Sequence, residues 1–231
     1  MATYYIDAGE GSNSNSGLSK SDALADDTAI NVRPGDTVLY KRGSVFRGRM
    51  NNVSGEAGEE ITYSAYGEGA APVFCGSVSA ADESIWTEYK KNIWSCTPPV
   101  NDEITNIVFD DGKSYGAFCW SMDDLKNQGD FYDECLGFKI KGKPIYENHK
   151  VYVYSHENPA KAYKSLELCL FADRIAANNG HDMIIENVKF LNCGVHVIAG
   201  EGASRNLLIR NCVFENIGGG VWDNNKKIRY G

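Results

Sequence analysis

The chain has 231 residues, 42% hydrophobic and 23% charged, with a net charge of −8. This composition belongs to a folded protein with room for one elongated domain, and the acidic balance excludes nucleic acid as a partner because phosphate binding relies on clustered Lys and Arg. No apolar run approaches the ~20 residues of a membrane span, and the start Met-Ala-Thr-Tyr-Tyr-Ile lacks the basic-then-apolar pattern of a signal peptide.

In chain order, a first strand is expected over Thr3 to Asp7, followed by a polar Gly/Ser/Asn loop and a short helix from about Ser21 to Asn31. That helix suits a cap, because it would cover the unpaired edge of the first strand. Pro34-Gly35-Asp36 then turns the chain into Thr37-Val38-Leu39-Tyr40, and further strands are expected over Val45 to Met50, Ile61 to Tyr66 and Pro72 to Cys75. Val38 to Tyr40 precede Ile61 to Tyr63 by 23 residues. From about Asp82 to Ala162 this spacing is lost, and hairpin-like strands rich in aromatics form an insertion. In Val151-Tyr152-Val153-Tyr154 the two tyrosines share one face, which can either pack the insertion on its host or stack on a sugar ring. Regular coils resume after Ser165.

The clearest pattern comes next. Ile185, Asn187, Phe190, Asn192 and Gly194 return as Ile209, Asn211, Phe214, Asn216 and Gly218, each 24 residues on. A repeat of this length, built of short apolar strands with no helical period, predicts a parallel β-solenoid. Equivalent positions should stack, with Ile185, Val188, Phe190, Ile209, Cys212 and Phe214 inside and Glu186, Lys189, Arg210 and Val213 outside. Asn187 and Asn211 should make the bends, since Asn tolerates the left-handed conformation, and Asn187 over Asn211 and Asn192 over Asn216 should form amide ladders. Glu186 beside Arg210 is an acid next to a base on an outer face. An ordinary cross-strand ion pair explains it better than catalysis.

The seven cysteines, Cys75, Cys96, Cys119, Cys135, Cys169, Cys193 and Cys212, are odd in number and contain no CxxC, so they read as buried free thiols and leave the redox compartment open. His196 reads as a loop or surface residue. With no second His at metal-binding spacing, no metal is assigned. The last stretch, Gly218 to Gly231, opens another turn and strand without a closing segment. The expectation is an N-terminal portion of a longer protein, or a final coil covered by a partner, including end-to-end self-association.

Tyr-Tyr-Ile-Asp-Ala-Gly (4 to 9), Arg-Pro-Gly-Asp-Thr-Val-Leu-Tyr-Lys-Arg-Gly-Ser-Val-Phe-Arg-Gly (33 to 48) and Tyr-Ser-Ala-Tyr-Gly-Glu-Gly-Ala-Ala-Pro-Val (63 to 73) resemble the N-terminal part of right-handed parallel β-helix proteins of the pectate-lyase-like superfamily. Asn92-Ile93-Trp94, Val108 to Gly112, Gly129 to Tyr132 and Asn158-Pro159 are similar to its carbohydrate-active members. The resemblance implies an all-β, right-handed parallel β-helix: strand and cap over 1–34, first coils over 35–81, a β-rich insertion over 82–162 and coils over 163–231, within one structural domain.

It also implies a secreted or cell-surface protein that acts on an extracellular polysaccharide or oligosaccharide as a polysaccharide lyase or glycoside hydrolase, with calcium as a cofactor only in the lyase case. The alternative is a non-catalytic glycan-binding or adhesion β-helix. No catalytic residue matches a family motif. Asp110-Asp111 and Asp123-Asp124 read as turn acids, not calcium ligands. The candidate substrate-binding residues are Tyr152 and Tyr154 on the insertion, and Trp222 and Asp223 after the triple glycine, where a ligand can approach the backbone.

Overall fold

The computed structural model describes residues 1–51, 53–135, 139–140, 143–144, 148–171, 176–200, 202, 204–223 and 228–230, with backbone alone for 139–140, 143–144, 177–178, 221–223 and 228–230. These residues form an all-β fold of several sheets, parallel and mixed. Among them, helix is confined to 3-10 turns and the single turn Pro159–Ala162, which Asn158 caps by accepting the Ala160 N–H. Among the described residues, no helix is long and apolar enough to cross a membrane. The chain divides into two compact units. One comprises Met1–Cys75, Arg174–Leu191 and His196–Glu215; the other comprises Gly76–Asp173, Asn192–Val195 and Asn216–Gly231.

The first unit is built on a five-stranded parallel sheet in the order Thr3–Ile6, Thr37–Lys41, Ile61–Tyr66, His181–Glu186, Arg205–Arg210. Val45–Arg47 and Val73–Cys75 run parallel to Lys189–Cys193 in a second sheet, which Val213–Ile217 extends. The 24-residue offset is the pairing register itself: Ile185 lies opposite Ile209 and Glu186 opposite Arg210. Alternation then fills the interior. Val38, Tyr63 and Ile185 form one buried row across the first sheet, and Phe46, Phe74 and Phe190 form a row of rings across the second, with centroids 5.0 and 6.1 Å apart.

Both rows reach the edge half-open. Ile209 is 38% and Phe214 47% exposed, although both were expected inside, and Cys212 is only partly buried. The reason is positional. A stacked side chain needs a neighbour on each side, and these residues lie on the last strand of each parallel stack. The bends follow the expectation at Asn187 and Asn211, both left-handed at φ 60° and 53°. The Asn187 amide, however, donates to Ser64 Oγ (3.1 Å), and the amide-to-amide ladder occurs at Asn192 and Asn216, where Asn216 Nδ2 donates to Asn192 Oδ1 (2.9 Å).

Three further expectations are corrected. Val38 pairs with Tyr63 instead of Ile61, a register of 25 residues in place of 23. A two-residue slip leaves the same side chains inside, so alternation could not distinguish the two. The segment expected as a cap helix over Ser21 to Asn31 forms two separate 3-10 turns, Lys20–Asp22 and Asp27–Ala29. It still covers the first strand through backbone bonds, with Tyr5 N–H donating to Gly17 O, Leu24 N–H to Tyr5 O and Asp7 N–H to Leu24 O. These edge bonds hold the chain extended at Leu24 and interrupt the helix. Finally, Leu166–Leu170 does not resume the parallel pairing. It pairs antiparallel with Ile104–Phe109 and Ser77–Ser79; parallel pairing returns with Ala177–Asn178, beside Ile198–Ala199, and then His181–Glu186 rejoins the first sheet.

The second unit is dominated by antiparallel pairing, as the loss of periodicity anticipated. Thr87–Lys90, Ile93–Cys96, Val151–Tyr154 and Asp130–Asp133 form successive antiparallel neighbours, and Ala117–Phe118 joins the last in parallel. Trp86, Ile104, Ile107, Phe109, Phe131, Val153, Leu166 and Leu168 make its core. All seven cysteines are free, and six are buried, in agreement with their reading as core fillers.

Candidate functional site

The outer face of the five-stranded sheet carries the pair singled out by the repeat. Arg210 Nε donates to Glu186 Oε2 at 2.5 Å, and Glu186 also accepts from Ser64 Oγ at 3.1 Å. The carboxylate and the guanidinium satisfy each other, so neither stands as a free acid or base, and the pair is structural. A related cluster precedes it. Asp182, left-handed at φ 52°, accepts from Asn206 Nδ2 (2.7 Å), contacts His181 Nδ1 (2.8 Å) and pairs with Arg205 (3.2 Å). The Asn206 amide and then His181 hold its carboxyl below the ordinary value, against the effect of burial. Asp182 and Asn206 are a further 24-residue pair, and they add a bend five residues before Asn187 and Asn211.

A cleft in the first unit brings charged and aromatic side chains together. It encloses about 360 Å³ between the end of Thr3–Ile6, the end of Thr37–Lys41 and the end of Ile61–Tyr66. Its walls carry Asp7, Glu10, Lys20, Lys41, Arg42 and Tyr66. The parallel register sets this geometry, because Tyr40 pairs with both Ile6 and Ala65 and so brings Asp7, Lys41 and Tyr66 to neighbouring strand ends. Lys41 Nζ bridges Asp7 Oδ2 (2.6 Å) and Glu10 Oε2 (2.9 Å).

Burial raises the Asp7 carboxyl, but Lys41 and the Gly9 and Glu10 amides outweigh it and hold the group below the ordinary range. Asp7 and then Glu10 push the Lys41 ammonium up. Tyr66 lies edge-on to Tyr5 (5.2 Å) with the Lys20 ammonium 5.9 Å from its ring centroid. Its hydroxyl is buried, with no hydrogen-bond partner among the described residues, and burial pushes its ionisation to higher pH. Chemically, the cleft offers an aromatic wall, an ionised acceptor and fixed cations. Of the three carboxylates that line it, Asp7, Glu10 and Glu68, Lys41 engages the first two.

The predicted residues are distributed differently. Tyr152 is buried, packs with Leu125 and Cys119 and donates its hydroxyl to Glu134 Oε1 (2.8 Å), while Tyr154 is partly buried beside it. Tyr152 therefore packs within its unit, and Tyr154 keeps part of its surface open. Val221–Asp223 pairs antiparallel with Ile228–Tyr230, but the side chains of Trp222 and Asp223 lie outside the described residues. His196 is exposed. Asp110 accepts from Lys164 N and Asp111 from Ser165 Oγ, and Asp124 accepts from Ser121 Oγ, all as turn acids. No sequence signal marked the Lys41 cleft, since its residues come from three separate segments. Among the described residues, one grouping has metal-ligand types, Asp133, Cys135 and His149.

With this geometry in place, the chain can be compared with known structures. It aligns with the structure of XylC in complex with xylose at a TM-score of 0.65 and 13% identity, covering 92% of this chain and 40% of that one. A glycoside hydrolase aligns at 0.48 with 9% identity, covering 84% and 51%. A GH136 lacto-N-biosidase from Eubacterium ramulus aligns at 0.36 with 17% identity, covering 82% and 20%. The first likeness establishes a shared fold; the other two are too loose to add to it. The chain spans two-fifths of XylC. No family model matches it, and no curated protein matches it in sequence.

Proposed function

We propose that this chain is the scaffold of a carbohydrate-active protein of the right-handed parallel β-helix type, acting on extracellular glycans, with residues 82–162 inserted between its coils. The observation that carries the reading is the in-register parallel stacking of Ile61–Tyr66, His181–Glu186 and Arg205–Arg210, in a fold that superposes on the xylose-bound XylC at a TM-score of 0.65. The Lys41 cleft is the saccharide subsite in this reading. Asp7 accepts from sugar hydroxyls, Arg42 and Lys20 hold an anionic substituent such as a uronate, and the Tyr66 hydroxyl gains the partner it lacks.

Binding without turnover is the activity this site supports. Hydrolysis of a glycosidic bond needs one carboxyl as proton donor and a second as base or nucleophile. Asp7 is held ionised and shares Lys41 with Glu10, which among the described residues leaves Glu68 as a single unengaged carboxylate in the cleft where two are needed, and Arg210 occupies Glu186. The test is isothermal titration with neutral xylo-oligosaccharides and with oligouronates, together with product assays for new reducing ends and unsaturated sugars. Saturable binding that falls at least roughly tenfold in Tyr66→Ala, equivalent to ~1.4 kcal/mol, is expected, with no product. Absence of binding to either class, or binding unchanged in that variant, removes the subsite. Release of product shows that a complete active site is present and that the binding-only reading is wrong.

A further inference from the structure

The second unit contains a buried group of side chains that saccharide binding does not use. Asp133 ends the Asp130–Asp133 strand, Cys135 follows two residues later, and His149 lies two residues before Val151–Tyr154, the strand that pairs with it. All three are buried, and their ligand atoms lie within 4.8 Å of one another. His149 Nε2 is 3.5 Å from Asp133 Oδ2. The antiparallel pairing of Asp133 with Val151 creates this proximity, bringing chain positions 133 and 149 to the same end of the sheet.

The carboxylate is already oriented. Asp133 Oδ2 accepts the Ile104 N–H at 2.6 Å and Oδ1 accepts the Cys135 N–H at 2.7 Å, so two backbone bonds fix the plane of the group. Metal sites use outer bonds of this kind to position their ligands. A second carboxylate, Glu103, is buried beside Ile104, the residue whose N–H bonds Asp133. Charges gathered in a dry interior are costly unless paired or bound to metal.

We propose that Asp133, Cys135 and His149 form a buried structural site for a zinc-class dication, which ties the end of one strand to the start of its antiparallel neighbour. Oxygen, sulfur and nitrogen donors together select a borderline-soft ion over calcium or magnesium, which take oxygen ligands. Bonds of ~2.0–2.3 Å in a tetrahedron place ligand atoms roughly 3.3–3.8 Å apart. The His149 to Asp133 distance already has that value, Cys135 needs a shift of about an ångström at most to reach it, and a water takes the fourth corner. On binding, the Cys135 thiol releases its proton and ligates as thiolate.

The experiment uses the full chain, stripped with chelator, desalted and reloaded. One zinc per chain should survive gel filtration and raise the melting temperature. Cobalt(II) should give a thiolate-to-metal charge-transfer absorption that Cys135→Ser removes and Cys96→Ser keeps. Zinc affinity should fall at least roughly 100-fold in Cys135→Ser and His149→Gln. Because a buried-site variant can fail to fold, the wild-type cobalt spectrum and zinc stoichiometry are decisive by themselves. A wild-type chain that retains no zinc and shows no thiolate band overturns the proposal, as does a band that persists in folded Cys135→Ser. Either result leaves Asp133 and His149 as a plain buried ion pair, and neither bears on the saccharide subsite.

Discussion

Phe190 and Phe214 are the same position of the repeat, so sequence alone assigns them equal weight; the structure does not. Phe190 is fully buried between Phe74 (6.1 Å) and Phe214 (5.3 Å), whereas Phe214 is 47% exposed. Truncating a buried phenylalanine to alanine costs ~3–5 kcal/mol, through lost transfer energy and the cavity left behind. Full burial of such a ring contributes ~1.5–3 kcal/mol, and Phe214 realises about half of that, so Phe214→Ala should cost about 1 kcal/mol. For a chain of this size, ~1 kcal/mol shifts the melting temperature by ~2–4 °C, which gives a fall on the order of 10 °C for Phe190→Ala against about 3 °C for Phe214→Ala. Thermal melts followed by circular dichroism, supported by urea titrations with unchanged slope, measure both. Equal losses, or a larger loss at Phe214, would refute the claim that burial at the edge of the stack differs from burial within it.

Three more outcomes are expected. Titration of thiols after denaturation without reductant should count all seven cysteines, and in the native protein Cys212 should react first, because burial pushes the Cys96 thiol up to about 12 while Cys212 is only partly covered; a count short by two marks a disulfide. Asp182→Asn should destabilise the protein in a pH-dependent way. The Asn206 amide and His181 hold the native carboxyl below 3.8, so its stabilisation is present above that value and is lost as pH falls through the lower native one. The gap in melting temperature between wild type and variant should therefore be widest above 3.8 and close on acidification, and a gap constant with pH contradicts the assignment. Gly194→Ala should cost ~1–3 kcal/mol by overpacking, because an added Cβ runs into Thr105 Oγ1 and the Leu170 carbonyl, whereas Gly9→Ala meets only Asp7 Oδ1 at ordinary contact distance and should be nearly neutral in the same urea titration.

The sequence by itself determined the parallel pairing of the late strands, the left-handed bends at Asn187 and Asn211, and the inward parity of Ile185, Val188 and Phe190. These properties are local and periodic. A bend is a conformation that Asn tolerates, a face is an odd or even position, and an offset of 24 residues is a register written twice. The same offset carries Asp182 and Asn206, polar positions within otherwise apolar strands.

What depended on distance along the chain was not legible. Alternation could not separate a register of 23 from one of 25 at Val38, because both bury the same side chains. Nor could it show that Leu166–Leu170 pairs antiparallel, or that Ile209 and Phe214 lie on strands with no outer neighbour among the described residues. The Lys41 cleft and the Asp133, Cys135 and His149 cluster came only from the tertiary structure. Each is assembled from residues whose types are ordinary in their own segments and acquire chemistry only when strand pairing sets them side by side.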